Sequence, residues 1–261
     1  MKIAVTGKGG VGKTTFSAIL ARLYAEEGKS VLAVDVDPDA NLGLALGFSA
    51  EEVNKIVPIS QLKKLVAERT GSSDENFGKF FKLNPKVSDL PEKYAKECNG
   101  VKLLTLGTVE VGGSGCVCPE HVLLKRLINH LVLQNDDVVI MDMEAGIEHL
   151  GRGTASGVDQ FIVVIEPGSR SIQTYEKVKQ LALDIGVTKV RVVANKVRNR
   201  EDEEYITSRI KDDLLGFVHY NQEVIDADRQ GKSPFDFSDT AIREIQVIKD
   251  KIDLEYLEKN K

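Results

Sequence analysis

The sequence predicts an α/β fold: a mostly parallel β-sheet with helices on both faces. Three observations predict it. Short runs of β-branched and apolar residues recur along the chain. Helical patterns separate them. The runs are apolar at successive positions rather than alternating, so both faces of each strand need cover.

The elements follow in order. "KIAVTG" (2–7) is a strand, and "KTTFSAILARLYAEEG" (13–28) is a helix closed by Gly28. "SVLAVDVD" (30–37) is the next strand. Later strands are predicted at 101–107, 137–144, 160–167, 189–196 and 214–220. Helices are predicted at 119–134, 171–185, 201–212, 221–230 and 239–257. The charged stretch 48–100 reads as a mainly helical insertion beside a single domain spanning 1–261.

Composition narrows the function. Of 261 residues 42% are apolar, enough for a packed core. The start, "MKIAVTG", does not read as a signal peptide, and no apolar run approaches the roughly 18 residues of a membrane span. Three cysteines, an odd count, argue against a secreted disulfide framework. We therefore expect a cytoplasmic protein with reduced thiols. The net charge of −5 disfavours nucleic acid as a partner.

"GKGGVGKTT" (7–15) lies between the first strand and the first helix and fits two motifs. Gly7, Gly9 and Gly12 match a dinucleotide fingerprint, with Asp35 at the end of the second strand as its acid. Gly7, Gly12, Lys13 and Thr14 match the phosphate loop G-x-x-x-x-G-K-S/T. The lysine and hydroxyl after the last glycine decide for the second, because a triphosphate needs both. Backbone N–H groups of Gly7 to Thr15, including Gly9, Gly10 and Val11, would wrap ATP or ADP. Lys13 would neutralise β/γ oxygens, and Thr14 would ligate Mg²⁺. "VVIMD" (138–142) is an apolar strand ending in Asp142, the second carboxylate such a magnesium site requires.

Lys8, directly after Gly7, makes the loop a deviant phosphate loop, K-G-G-x-G-K-S/T. The chain thereby resembles the family of MinD, ParA and the nitrogenase iron protein. The resemblance implies a P-loop NTPase fold and an ATPase that dimerises face to face. Lys8 would reach the partner's phosphates. "VDVDPDAN" (34–41) resembles the first switch, with Asp37 orienting the attacking water, Asp39 as a weaker alternative, and Asp35 near the magnesium. Asn195 in "VVANK" matches the residue that recognises adenine.

Cys116 and Cys118 in "GGSGCVCPEH" (112–121) give two thiolates on one short backbone piece, half a coordination sphere for a soft or borderline metal. A two-fold dimer completes four sulfurs on its axis. Pro119 and Glu120 open the following helix, whose N-terminal dipole should lower the thiol pKa. His121 and His149 are candidate extra ligands, although a helix-surface or partner-contact role suits each better, and Cys98 reads as structural or incidental.

The phosphate loop, "GCVCPEH" and "MDMEAGIEHLGRGT" (141–154) together resemble the CooC-like ATPases, accessory proteins of nickel-dependent carbon monoxide dehydrogenase. That resemblance implies a homodimer bridged by nucleotide and metal. It also implies binding of Ni²⁺, with Zn²⁺ able to fill the same site, and nickel insertion into carbon monoxide dehydrogenase or acetyl-CoA synthase. Two other readings stay open: a MinD/ParA-like spatial-organisation ATPase, and an iron–sulfur scaffold or carrier. The C-terminal "IREIQVIKDKIDLEYLEKNK" mixes both charge signs and lacks the basic amphipathic face of a membrane-seeking helix.

Overall fold

A computed structural model of the chain describes residues 1–37, 40–72, 81–107, 118–134, 137–144, 157–187 and 189–259. Among them one sheet of eight strands organises everything, in the order β3-β4-β2-β5-β1-β6-β7-β8. The strands are β1 (Lys2–Thr6), β2 (Val31–Asp35), β3 (Lys96–Cys98), β4 (Val101–Thr105), β5 (Val138–Asp142), β6 (Gln160–Ile165), β7 (Val190–Val197) and β8 (Leu214–His219). All neighbours are parallel except β3, which runs antiparallel to β4.

The helices are α1 (Lys13–Glu26), α2 (Leu42–Leu46), α3 (Ala50–Val53), α4 (Lys63–Thr70), α5 (Leu90–Tyr94), α6 (Pro119–Gln134), α7 (Ser169–Asp184), α8 (Arg200–Ile210), α9 (Gln222–Arg229) and α10 (Asp239–Lys259). They cover both faces, as the doubly apolar strands require. On one face Ala4, Val34 and Phe161 meet Leu127 and Leu131 of α6 and Val178 of α7. On the other, Ile3 and Val5 meet Ile19 of α1 and Ile245 and Ile248 of α10. Alternate residues of β1 thus feed opposite cores, because side chains of a strand alternate between faces.

Two features differ from the sequence reading. Within 48–100 the described residues form three short helices, but the stretch ends in the antiparallel edge strand β3, which the sequence reading does not foresee. Its "KEC" is charged and largely exposed, and gives no apolar run to read. Elsewhere most strands are shorter than predicted at their C-terminal ends, β7 being the exception. "SVLAVDVD" yields only Val31–Asp35, where the Asp35 carboxylate accepts from the Asp37 and Leu42 N–H groups and the chain turns toward α2.

β1 sits between β5 and β6, where the connections diverge to either side of the sheet. The crevice beyond the carboxyl ends of strands at such a point is where open α/β sheets hold ligands. The phosphate loop leaves β1 there.

Candidate nucleotide and metal site

The phosphate loop is built by close approach. Gly7 has φ +150°, and a Cβ there would lie 2.3 Å from the carbonyl oxygen of Val164 on β6. Gly12 has φ +96°, and a Cβ there would lie 2.1 Å from Nδ2 of Asn195. Both positions exclude a side chain. Gly12 is also the N-cap of α1, with no side-chain cap and no acidic residue in the first turn. The first N–H groups of α1 therefore keep their donor capacity for an anion.

Three strand and helix ends bring the charged groups together. Asp35 and Asp142 end adjacent strands and are register partners. Thr14, in the first turn of α1, donates its hydroxyl to Oδ2 of Asp142 at 2.6 Å. Ser17, one turn on, donates to Oδ1 at 3.3 Å. Asp35 accepts from the N–H groups of Leu42 (3.0 Å) and Asp37 (3.2 Å), which draws the start of α2 onto the end of β2. Lys13 is buried and its ammonium lies 3.5 Å from the Lys8 carbonyl. Lys8 itself is exposed, and its side chain forms no ion pair among the described residues.

Burial dominates the electrostatics. It pushes Asp35 up to about 7, helped by the neighbouring Asp142 carboxylate and opposed by the two N–H donors. Asp142 is pushed up to about 6, again by burial first, against the Thr14 hydroxyl and the Lys13 ammonium. Asp37 adds negative charge to both. Two buried carboxylates with a hydroxyl between hard-oxygen donors form a site short of positive charge. A divalent cation of the Mg²⁺ type fits that donor set.

Residues the sequence reading passed over complete the site. Ser17 was legible from its i,i+3 spacing to Thr14. Lys196 was not: it takes φ +57° and donates to the Gly10 carbonyl at 2.5 Å. Its neighbour Asn195 donates to the Val11 carbonyl at 2.7 Å. The end of β7 thus holds two successive carbonyls of the phosphate loop. Beside Asn195 opens a cavity of about 80 Å³, lined also by Gly12, Thr15, Phe16, Tyr220 and Asn221. The side-chain carbonyl oxygen of Asn195 is an acceptor by type, the group an amino donor would need.

The cysteine region is described only in part. Cys116, His149, Asp39 and the switch segment from 145 on lie outside the described residues. Cys118 is described: its carbonyl accepts from the Val122 N–H at 3.1 Å, so it caps α6. Its thiol pKa is raised, which corrects the expectation of a lowered one. Burial is the main cause. The His121 N–H of the first helical turn does lower it, but the Glu120 carboxylate beside the thiol raises it again. Cys98, the last residue of β3, is raised as well, by burial, and its sulfur lies near Gly47. Among the described residues no three His, Cys, Asp or Glu side chains gather as a metal site. No helix among them is long and apolar enough to cross a membrane.

A parallel sheet, a glycine loop entering a helix, and an Asp-Thr pair at its mouth define a P-loop ATPase of the deviant type. Residues 2–235 match the CobQ/CobB/MinD/ParA nucleotide binding domain, and the chain belongs to that family. Within it, the chain is 48% identical over 239 residues to the carbon monoxide dehydrogenase accessory protein CooC of Rhodospirillum rubrum, covering 91% of this chain and 90% of that one. It is also 48% identical to an uncharacterised ATP-binding protein of Methanocaldococcus jannaschii, over 95% and 96% of the two chains. Among solved structures, MinD of Pyrococcus horikoshii complexed with Mg-ADP shares the fold with a TM-score of 0.67 at 19% identity, covering 97% of this chain and 96% of that one.

Proposed function

We propose that the protein is a dimeric, Mg-ATP-driven nickel carrier that assists nickel insertion into carbon monoxide dehydrogenase or, alternatively, acetyl-CoA synthase. The observation that carries the reading is the near full-length similarity to a carbon monoxide dehydrogenase accessory protein, at 48% identity, on a chain whose Thr14 and Asp142 meet at the phosphate loop.

ATP would bind with its phosphates along residues 7–15 and its base beside Asn195. Thr14 and Asp142, with Asp35 behind, would hold Mg²⁺, which supplies charge neutralisation at the β/γ oxygens when bound. Lys13 contributes the fixed cation of the same chain. Asp37, tied by its N–H to Asp35, would orient the attacking water. Lys8 is exposed at the loop, which supports its reaching the partner subunit's phosphates. Hydrolysis would then loosen the dimer through the segment that links Asp35 to α2.

Nickel is the cargo. Cys118 caps α6 and, with Cys116, would supply two of four thiolates, the partner's pair supplying the others. The raised Cys118 pKa means the thiol is protonated at neutral pH without metal, so loading releases protons.

The experiment is reconstitution of nickel-free carbon monoxide dehydrogenase with Ni²⁺, ATP and the protein. Activity should recover with wild type and fail with Lys8→Ala and Asp37→Ala. Recovery with Asp37→Ala and unchanged ATP turnover would remove Asp37 from the mechanism. Recovery with no protein present would remove the delivery role.

A further inference from the structure

Along α6, beyond Cys118, an open groove of about 490 Å³ faces the segment 81–86. Leu83, Asn84, His121, Lys125, Arg126 and Asn129 line it. Lys125 and Arg126 form no ion pair among the described residues. Two unpaired cations therefore line this groove in a chain whose net charge is −5.

One more observation marks the face as unfinished. Leu83, in the same lining, is 71% exposed. Nucleic acid or a lipid headgroup surface would meet the cations but leave the leucine unused. A polypeptide segment supplies carboxylates and an apolar contact together.

The position on the helix gives the groove its meaning. Cys118, Val122, Lys125 and Asn129 follow one another at helical i,i+4 and i,i+3 steps, so they share one stripe of α6. Lys125 lies about 10 Å along the axis from Cys118, at 1.5 Å per residue. Resting on the delivery reading above, we propose that this groove docks an acidic segment of the enzyme that receives the nickel. The groove sets the recipient against the end of the helix that carries the thiol. Charge complementarity would accelerate the encounter and make it sensitive to salt.

The test measures binding of the full chain to nickel-free carbon monoxide dehydrogenase, and in parallel to nickel-free acetyl-CoA synthase. The variants are Lys125→Glu/Arg126→Glu and, separately, Leu83→Asp. Wild type should bind one of the two, at least tenfold more weakly at 300 mM than at 50 mM salt, with polyglutamate competing. Each variant should bind at least tenfold more weakly at 50 mM salt while basal ATP turnover stays within twofold of wild type, which shows it folded. Variants that bind as tightly as wild type would overturn the groove and leave the delivery reading standing. Wild type binding neither enzyme in any nucleotide state would overturn the delivery reading and the groove with it. If the charge reversal abolished binding to vesicles of anionic lipid or to a DNA duplex, with enzyme binding intact, the surface would belong to those ligands instead.

Discussion

Asp142 shows at the scale of one residue how the site trades stability for function. Its carboxylate is buried beside Asp35 and its pKa is pushed up to about 6. A carboxyl whose folded pKa is raised favours folding while protonated. Its contribution declines as pH rises from the unfolded value near 3.8 through about 6, and the full cost is present above that. Asp142→Asn keeps acceptors and donors for the Thr14 and Ser17 hydroxyls, which can rotate. We expect the nucleotide-free variant to melt roughly 3–6 °C higher than wild type at pH 8, about 1–2 kcal/mol for a chain of this size. The gain should shrink toward pH 4, and ATP turnover should fall at least 100-fold. A variant less stable than wild type at pH 8 would contradict the account. Gly12 makes the opposite case. Gly12→Ala puts a methyl group 2.1 Å from the Asn195 amide at φ +96°. Calorimetry should show nucleotide affinity reduced at least tenfold, with a stability loss of about 1–3 kcal/mol. Unchanged affinity would mean that the loop does not need its contact with β7.

At the scale of elements, β8 is tied to two helices by a single imidazole. His219 holds Glu244 of α10 at 2.7 Å through Nδ1 and Glu203 of α8 at 3.1 Å through Nε2. Burial pulls its pKa down, but the two carboxylates outweigh it and the net shift is upward. A raised histidine stabilises most below its unfolded value near 6.5, and that contribution fades as pH climbs through the folded value. Melting of wild type should therefore show a decline from pH 6 to 8.5 that His219→Gln flattens. Equal slopes in both proteins would remove the histidine from the pH response. These ties were not legible in the sequence, because nothing in "FVHY" names a glutamate 25 residues on. The strands themselves were legible: runs such as "QFIVVI" and "VVIMD" are buried along their whole length, so burial and composition say the same thing. β3 was missed because an edge strand of Lys, Glu and Cys needs no apolar pattern. At the site, Lys13, Thr14 and Asp142 were readable from motif spacing. Lys196 was not, since its role comes from a backbone conformation rather than from its type.

For the whole molecule, the fold sets the two halves of the proposed task on one sheet. Nucleotide groups gather beyond the ends of β1, β2, β5 and β7, and α6 runs from Cys118 back over the core on the sheet face opposite α1. β5 links them, since Asp142 ends it and would close the proposed magnesium site, while Met141 and Val139 pack in the same core as Leu123 and Leu127 of α6. On that proposal, a change at the phosphate end would have a packed route to the thiol. A net charge of −5 disfavours a general attraction to polyanions, and the cations by α6 are local.

The most direct test is an anaerobic titration of metal-free protein with Ni²⁺, with and without Mg-ATP, while light scattering reports the mass. Wild type and Cys116→Ser are compared. The account predicts one Ni²⁺ per two chains, a thiolate-to-nickel charge-transfer band, and loss of both in the variant. Nickel uptake indifferent to Cys116, or no uptake by a protein that still hydrolyses ATP, would contradict it.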